Sequence, residues 1–181
     1  MLQLTIPLSP EGWDEVNEVF VEPKVTTIQL EHSLLSLSKW ESKWCEPFLS
    51  KKNLTNEESL DYIRCMTVSK NVDPEVYLHL TKENVDEIIE YINAPMTATT
   101  FSKNSNGKSS KEVVTSELIY YWMIAYQIPS EYEKWHLNRL LTLIRICSIK
   151  NSPPKKMGRG EVMRNNAALN AARRKKLNTK G

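Results

Sequence analysis

From residue 30 onward apolar side chains recur at helical intervals, and caps and prolines interrupt the recurrence at places that mark helix ends. Leu30, Leu34, Leu37, Trp40 and Trp44 form one apolar stripe on a helix that must end before Pro47, with Lys39, Glu41 and Lys43 on its other faces. Thr55 followed by Glu58 is a capping box, because hydroxyl and carboxylate each satisfy an orphan backbone N–H; it opens a helix carrying Leu60, Ile63 and Met66. Asp73-Pro74 supplies an N-cap and a first-turn proline for a short helix through Leu80. Thr81 then caps a helix that turns Val85, Ile88, Ile89 and Ile92 inward and stops short of Pro95. A further helix starts near Thr115 with Leu118, Ile119, Tyr121, Trp122, Ile124 and Ala125 and pauses at Pro129. Ser130 and Glu133 read as a second capping box, and residues 131–147 are apolar on nearly every side, which predicts the central helix of the fold.

The first 30 residues follow a different rule. Leu2, Leu4 and Ile6 alternate with Gln3 and Thr5 up to Pro7, and Val19-Phe20-Val21 and Val25-Thr26-Thr27-Ile28 are short β-branched runs separated by Pro23. They predict a small sheet of two or three strands, with a hairpin turn near residues 14–17 and Trp13 packed against it. The fold class is therefore mostly α (α+β): a helical bundle with a small N-terminal β-hairpin or short sheet and a basic C-terminal helical tail. Residues 96–111, rich in Thr, Ser, Asn and Lys, bury too little apolar area to offset the entropy of ordering and read as a flexible loop.

The formal charge of +2 conceals an asymmetry. Residues 150–181 hold ten Lys or Arg against one acid, Glu161, and so carry +9, which leaves residues 1–149 at −7. The expected division is an acidic, mainly helical body over 1–150 and a basic Ala/Arg-rich tail over 151–181, with Pro153-Pro154 at the junction. Within the tail, residues 161–176 lack Gly and Pro and favour a helix, but their apolar content is too thin for a core, so the helix is expected to order on a partner. No apolar run approaches the length of about 18–20 that spans a membrane, and no secretory leader opens the chain, so no membrane partner and a cytoplasmic location are expected. Cys45, Cys65 and Cys147 are odd in number and far apart, and are expected as free buried thiols.

Signatures of catalysis are missing, and no catalytic, cofactor-binding or metal-binding residue is expected. Gly107-Lys108-Ser109 ends like a phosphate loop, but the glycine needed five residues earlier is Ser102. His32 and His79 sit near helix ends as solvated or capping residues, and His136, beside Trp135 and Arg139, is a partly buried structural histidine that could also line a cleft. Trp40, Trp44, Trp122 and Trp135 fall on apolar stripes and pack in the core, or else anchor a partner helix in a groove. The tail's Arg173, Arg174, Lys175 and Lys176 could neutralise phosphates, dock beside an acidic rim with Leu169 facing a partner, or merely solubilise the chain. With no aromatic between 150 and 181 and an acidic body, nucleic acid is an improbable partner. The candidate partner-binding residues are Trp122, Trp135, Arg139, Leu169, Arg173, Arg174, Lys175 and Lys176.

Four stretches carry a family likeness. They are Leu30-Glu31-His32-Ser33-Leu34 running into Ser38-Lys39-Trp40-Glu41-Ser42-Lys43-Trp44; Tyr120-Tyr121-Trp122-Met123-Ile124; Trp135-His136-Leu137-Asn138-Arg139-Leu140-Leu141; and the ending Asn166-Ala167-Ala168-Leu169-Asn170-Ala171-Ala172-Arg173-Arg174-Lys175-Lys176-Leu177-Asn178-Thr179-Lys180-Gly181. With these the chain resembles the tail assembly chaperones of long-tailed bacteriophages, small helical proteins made beside the major tail protein, often in a short and a frameshift-extended form. The resemblance implies a non-enzymatic protein of the host cytoplasm that binds apolar segments of the tape-measure protein, recruits tail tube protein and can self-associate. A virion connector or baseplate component, and a nucleic-acid-associated accessory protein, are the alternatives.

Overall fold

The computed structural model describes residues 1–9, 12–14, 19–21, 24–101, 112–152 and 158–179. It is mostly α (α+β), and the chain divides into two compact units, Met1–Ser148 and Ile149–Gly181. Of the flexible loop expected over 96–111, residues 102–111 lie outside the described residues, as do residues 15–17 of the turn expected at 14–17; Trp13 is described in its backbone alone.

In the first unit the strands β1 (Leu2–Pro7) and β4 (Val25–Leu30) pair antiparallel, Leu2 opposite Leu30 and Pro7 opposite Val25. Between them β2 (Gly12–Asp14) and β3 (Val19–Val21) pair with each other. The expected single sheet is thus two separate two-stranded ones. Alternation does its usual work in the longer pair: Leu4, Ile6, Ile28 and Leu30 face one side and are buried. Leu30 therefore belongs to a strand, correcting its placement on the first helix stripe. It matches that stripe in spacing, but the ladder to Leu2 holds it extended, and Ser33 caps α1 (Leu34–Trp44) by a reciprocal box with Ser36.

The Thr55–Glu58 box opens α2 (Asn56–Met66), and Asp73 caps the 3-10 helix Pro74–His79. Thr81 caps α3 (Lys82–Asn93), where the inward set is narrower than periodicity suggested. Ile88 and Tyr91 are buried and Ile92 packs partly, whereas Val85 is 36% and Ile89 51% exposed. The cause is one-sided packing: α3 lies along β1, where Asn84 Nδ2 donates to the Thr5 carbonyl (3.1 Å), and Val85 and Ile89 fall on its exposed side.

Thr115 caps α4 (Ser116–Ala125). The second expected capping box does not form. Residues Ser130–Lys134 make a 3-10 turn with Pro129 at its N-cap and no side-chain cap, and the Glu133 carboxylate instead accepts the Tyr120 hydroxyl at 2.9 Å. Trp135 is extended and His136 bridges to Ser33, so α5 starts only at Leu137 and runs to Asn151. It buries Leu137, Leu140 and Ile144 on one face, and so is not the central helix that its composition predicts.

That position belongs to α1. Its Trp40 sits in one core cluster with the β1–β4 face, Tyr62, Ile63 and Met66 of α2, and Ile88 and Tyr91 of α3. Its Leu34 and Leu37 sit in a second cluster with Ile119 and Met123 of α4 and Leu137, Leu140 and Ile144 of α5. Two indole N–H groups fasten α1 to α2, Trp40 donating to the Glu58 carbonyl (3.0 Å) and Trp44 to Asp61 (2.9 Å). The buried Glu41 carboxylate accepts Phe48 N–H at 3.0 Å through one oxygen and Ser116 N–H at 2.7 Å through the other. It thus satisfies a backbone donor in the first turn of α4, where the helix dipole favours a negative charge.

The second unit contains α6 (Arg159–Leu177), nineteen residues long, closed by a left-handed Asn178 whose N–H returns to the Arg174 carbonyl. Arg174, Lys175 and Lys176 lie in its last turn, where the dipole favours cations. Among the described residues no helix is long and apolar enough to cross a membrane.

Candidate functional site

The site is organised by two short extended stretches that meet. Ser33 and His136 form an isolated antiparallel bridge, and Leu137 N–H donates to the His32 carbonyl at 2.7 Å. This pairing sets the His32 and His136 rings edge to face at 5.1 Å. His32, expected at a helix start as a solvated or capping residue, is buried, because it precedes the N-cap of α1 and points between α2 and α5. Its Nδ1 lies 2.6 Å from the Tyr62 hydroxyl. Burial pushes the imidazole down to about 4, with His136 adding to the shift, and burial raises the Tyr62 phenol, so the phenol donates and the neutral imidazole accepts.

His136 is held from both ends. A carbonyl can only accept, so Nε2–H donates to the Tyr91 carbonyl at 3.1 Å, and Nδ1 accepts Asn138 N–H at 3.3 Å. Burial lowers its pKa, against the pull of the Tyr91 carbonyl and Glu31. Asn138 Nδ2 reaches the carbonyls of Ile92 (2.9 Å) and Ala94 (2.8 Å), so the start of α5 satisfies the open C-terminal carbonyls of α3. Tyr91 donates its hydroxyl to Glu31 (2.7 Å), whose other oxygen pairs with the Met1 amino group at 3.0 Å.

Over this floor lies a cleft of about 270 Å³, walled by Tyr91, Met96, Trp135, His136 and Arg139 with Lys134 at its rim. Trp135 stacks on Tyr132 (ring centroids 3.9 Å apart, 14° between planes), and the Arg139 guanidinium lies 4.1 Å over its ring. The three groups form a continuous stack, Tyr132, Trp135, Arg139. Glu31 and Lys134 separate this cleft from a second one of about 380 Å³, walled by Leu35, Lys39, Cys65 and Met66. Burial, with help from Asp61, raises the Cys65 thiol, so it is a poor source of thiolate. The cysteines are free, but Cys45 is exposed and Cys65 and Cys147 are only half-buried, unlike the buried thiols expected.

Of the residues singled out in the sequence, Trp135 and Arg139 come together here. Trp122 packs on the α1–α4–α5 cluster and lines neither cleft. Beside it on α4, Tyr121 and Ile124 are 63% and 77% exposed. Leu169, Arg173, Arg174, Lys175 and Lys176 are exposed side chains of α6 in the other unit. Glu31, His32, Tyr91 and Lys134 carry no local pattern that sets them apart; a contact across 45 residues or more leaves no spacing signal. No protein-family model, curated protein or solved structure matches this chain.

Proposed function

We propose that this chain is a tail assembly chaperone of long-tailed bacteriophages, acting in the host cytoplasm without making or breaking bonds. It covers apolar segments of the tape-measure protein and recruits tail tube protein, and its working surface is partner-binding throughout. The observation that carries this reading is α6: a single basic helix of nineteen residues has no interior of its own, and in proteins most helical stability comes from packing against a surface. The exposed Tyr121 and Ile124 on α4 supply apolar surface of the kind a partner helix covers. His136, at the floor of the cleft, has both ring nitrogens engaged by backbone, as suits a residue that shapes a binding surface.

Deleting residues 155–181 is expected to leave the melting temperature of the remaining chain within about 2 °C while association with tail components falls by tenfold or more, on the order of 1.4 kcal/mol. A loss of several degrees would contradict the role of α6 as a docking arm. Mass spectrometry of purified particles separates a chaperone from a virion component. The chain is expected to be absent from them, and its presence at stoichiometric level would replace this reading with that of a structural connector.

A further inference from the structure

We propose that the Met96–Trp135 cleft takes one apolar side chain of a partner polypeptide while Arg139 and Lys134 take the carboxylates that flank it, so that the recognised element is an acidic peptide segment with an apolar residue at its centre. The inference rests on the reading of this chain as a protein-binding protein and adds the chemistry of what it binds.

Three features converge on this occupant. The cleft, at about 270 Å³, is below the usual range of small-molecule pockets and suits a single side chain. Its apolar lining is the exposed Met96 and the part of Trp135 that Tyr132 and Arg139 leave uncovered. Among the described residues neither Lys134 nor Arg139 has an ion-pair partner, because the nearby Glu31 is occupied by Met1 and Tyr91, and Glu133 accepts from Tyr120. The Arg139 side chain is exposed and its guanidinium already rests over the Trp135 ring, so capture of a carboxylate costs it less side-chain entropy than an unstacked arginine would lose. The charge of residues 1–149 sharpens the choice. At −7 the body repels acidic segments in general, so two unpaired cations beside Met96 and Trp135 make this spot selective.

The test is nitrogen-edited NMR of the full-length protein titrated with the blocked tripeptide acetyl-Glu-Leu-Glu-amide, read at the Trp135 indole and Arg139 Nε–H resonances. Both are expected to shift and saturate at millimolar peptide. The Glu-Ala-Glu peptide should bind about tenfold more weakly, the Lys-Leu-Lys peptide should leave both resonances unmoved, and Arg139→Gln should weaken binding about tenfold. Should Arg139→Gln lose its native spectrum, Lys134→Gln at the exposed rim serves, with a smaller loss of the same sign. Replacing Arg173, Arg174, Lys175 and Lys176 together by Gln should leave the Trp135 shift intact. Equal shifts with Lys-Leu-Lys, undiminished binding by the rim variants, or shifts confined to α6 would overturn the proposal. The chaperone reading fails separately, if tape-measure protein gains no solubility from the wild-type chain in an assay that contains no peptide.

Discussion

Replacing Glu41 by alanine is expected to cost about 3–5 kcal/mol of unfolding free energy, out of the roughly 5–15 kcal/mol that holds a domain together. Each carboxylate oxygen accepts one backbone N–H, from Phe48 and from Ser116, and hydrogen bonds to a charged group contribute about 1.5–3 kcal/mol apiece. Alanine leaves both donors without their acceptor, since the Glu41 side chain is buried and links the Phe48 and Ser116 N–H groups. Glu41→Gln keeps one acceptor oxygen and turns an amide N–H₂ toward the other donor, so about half the loss or somewhat more is expected. Urea denaturation of the three proteins measures this; a loss below about 1 kcal/mol for Glu41→Ala would mean that water reaches the two N–H groups and that the carboxylate does not join α1 to α4.

Acidification should weaken the fold through His32. In the folded chain His32 binds a proton only near pH 4, whereas in the unfolded chain it does so near its ordinary value of about 6.5. Between these values the unfolded state carries a proton that the folded state refuses, so the stability is complete above about pH 6.5 and is lost as the pH falls toward 4. At about 1.4 kcal/mol per unit, the His32 contribution amounts to about 3 kcal/mol. His136, also held down by burial, acts in the same direction. Partners hold the Glu58 and Glu117 carboxyls below their usual range, Glu58 by Lys51 and Thr55 and Glu117 by backbone and Thr115, so these two do not account for a loss between pH 5 and 6.5. Urea midpoints at pH 7 and pH 5 should differ in the wild type and differ less in His32→Asn. An NMR titration placing the His32 midpoint near 6.5 would contradict the buried, neutral assignment.

What the sequence revealed was local. Thr55 with Glu58, Asp73 with Pro74, Thr81 and Thr115 act within one turn of themselves, and each starts the helix that its pattern predicted. Leu30 misled because a strand residue can fall in phase with the helix that follows, and only the partner strand, 28 residues away at Leu2, decides between them. Glu41 reads as a solvated charge until its donors, 7 and 75 residues away, are brought to it. The same division governs the site. Trp135 and Arg139 are four residues apart, and their nearness was legible in the sequence although Trp135 is extended and only Arg139 is helical. His32, Glu31 and Tyr91 join them only through the Ser33–His136 bridge and the junction of α3 with α5. The stripe at 131–147 looked central because so many of its residues are apolar, yet burial is decided by which face meets a neighbour, and α1 meets two.

The most direct measurement is of the complex itself. Tape-measure protein co-expressed with this chain, then fractionated by size-exclusion chromatography with light scattering, should elute as a soluble assembly of fixed stoichiometry containing several copies of the chain per tape-measure molecule. Tape-measure protein that precipitates equally with and without the chain, or that stays soluble without ever co-eluting with it, would contradict the account.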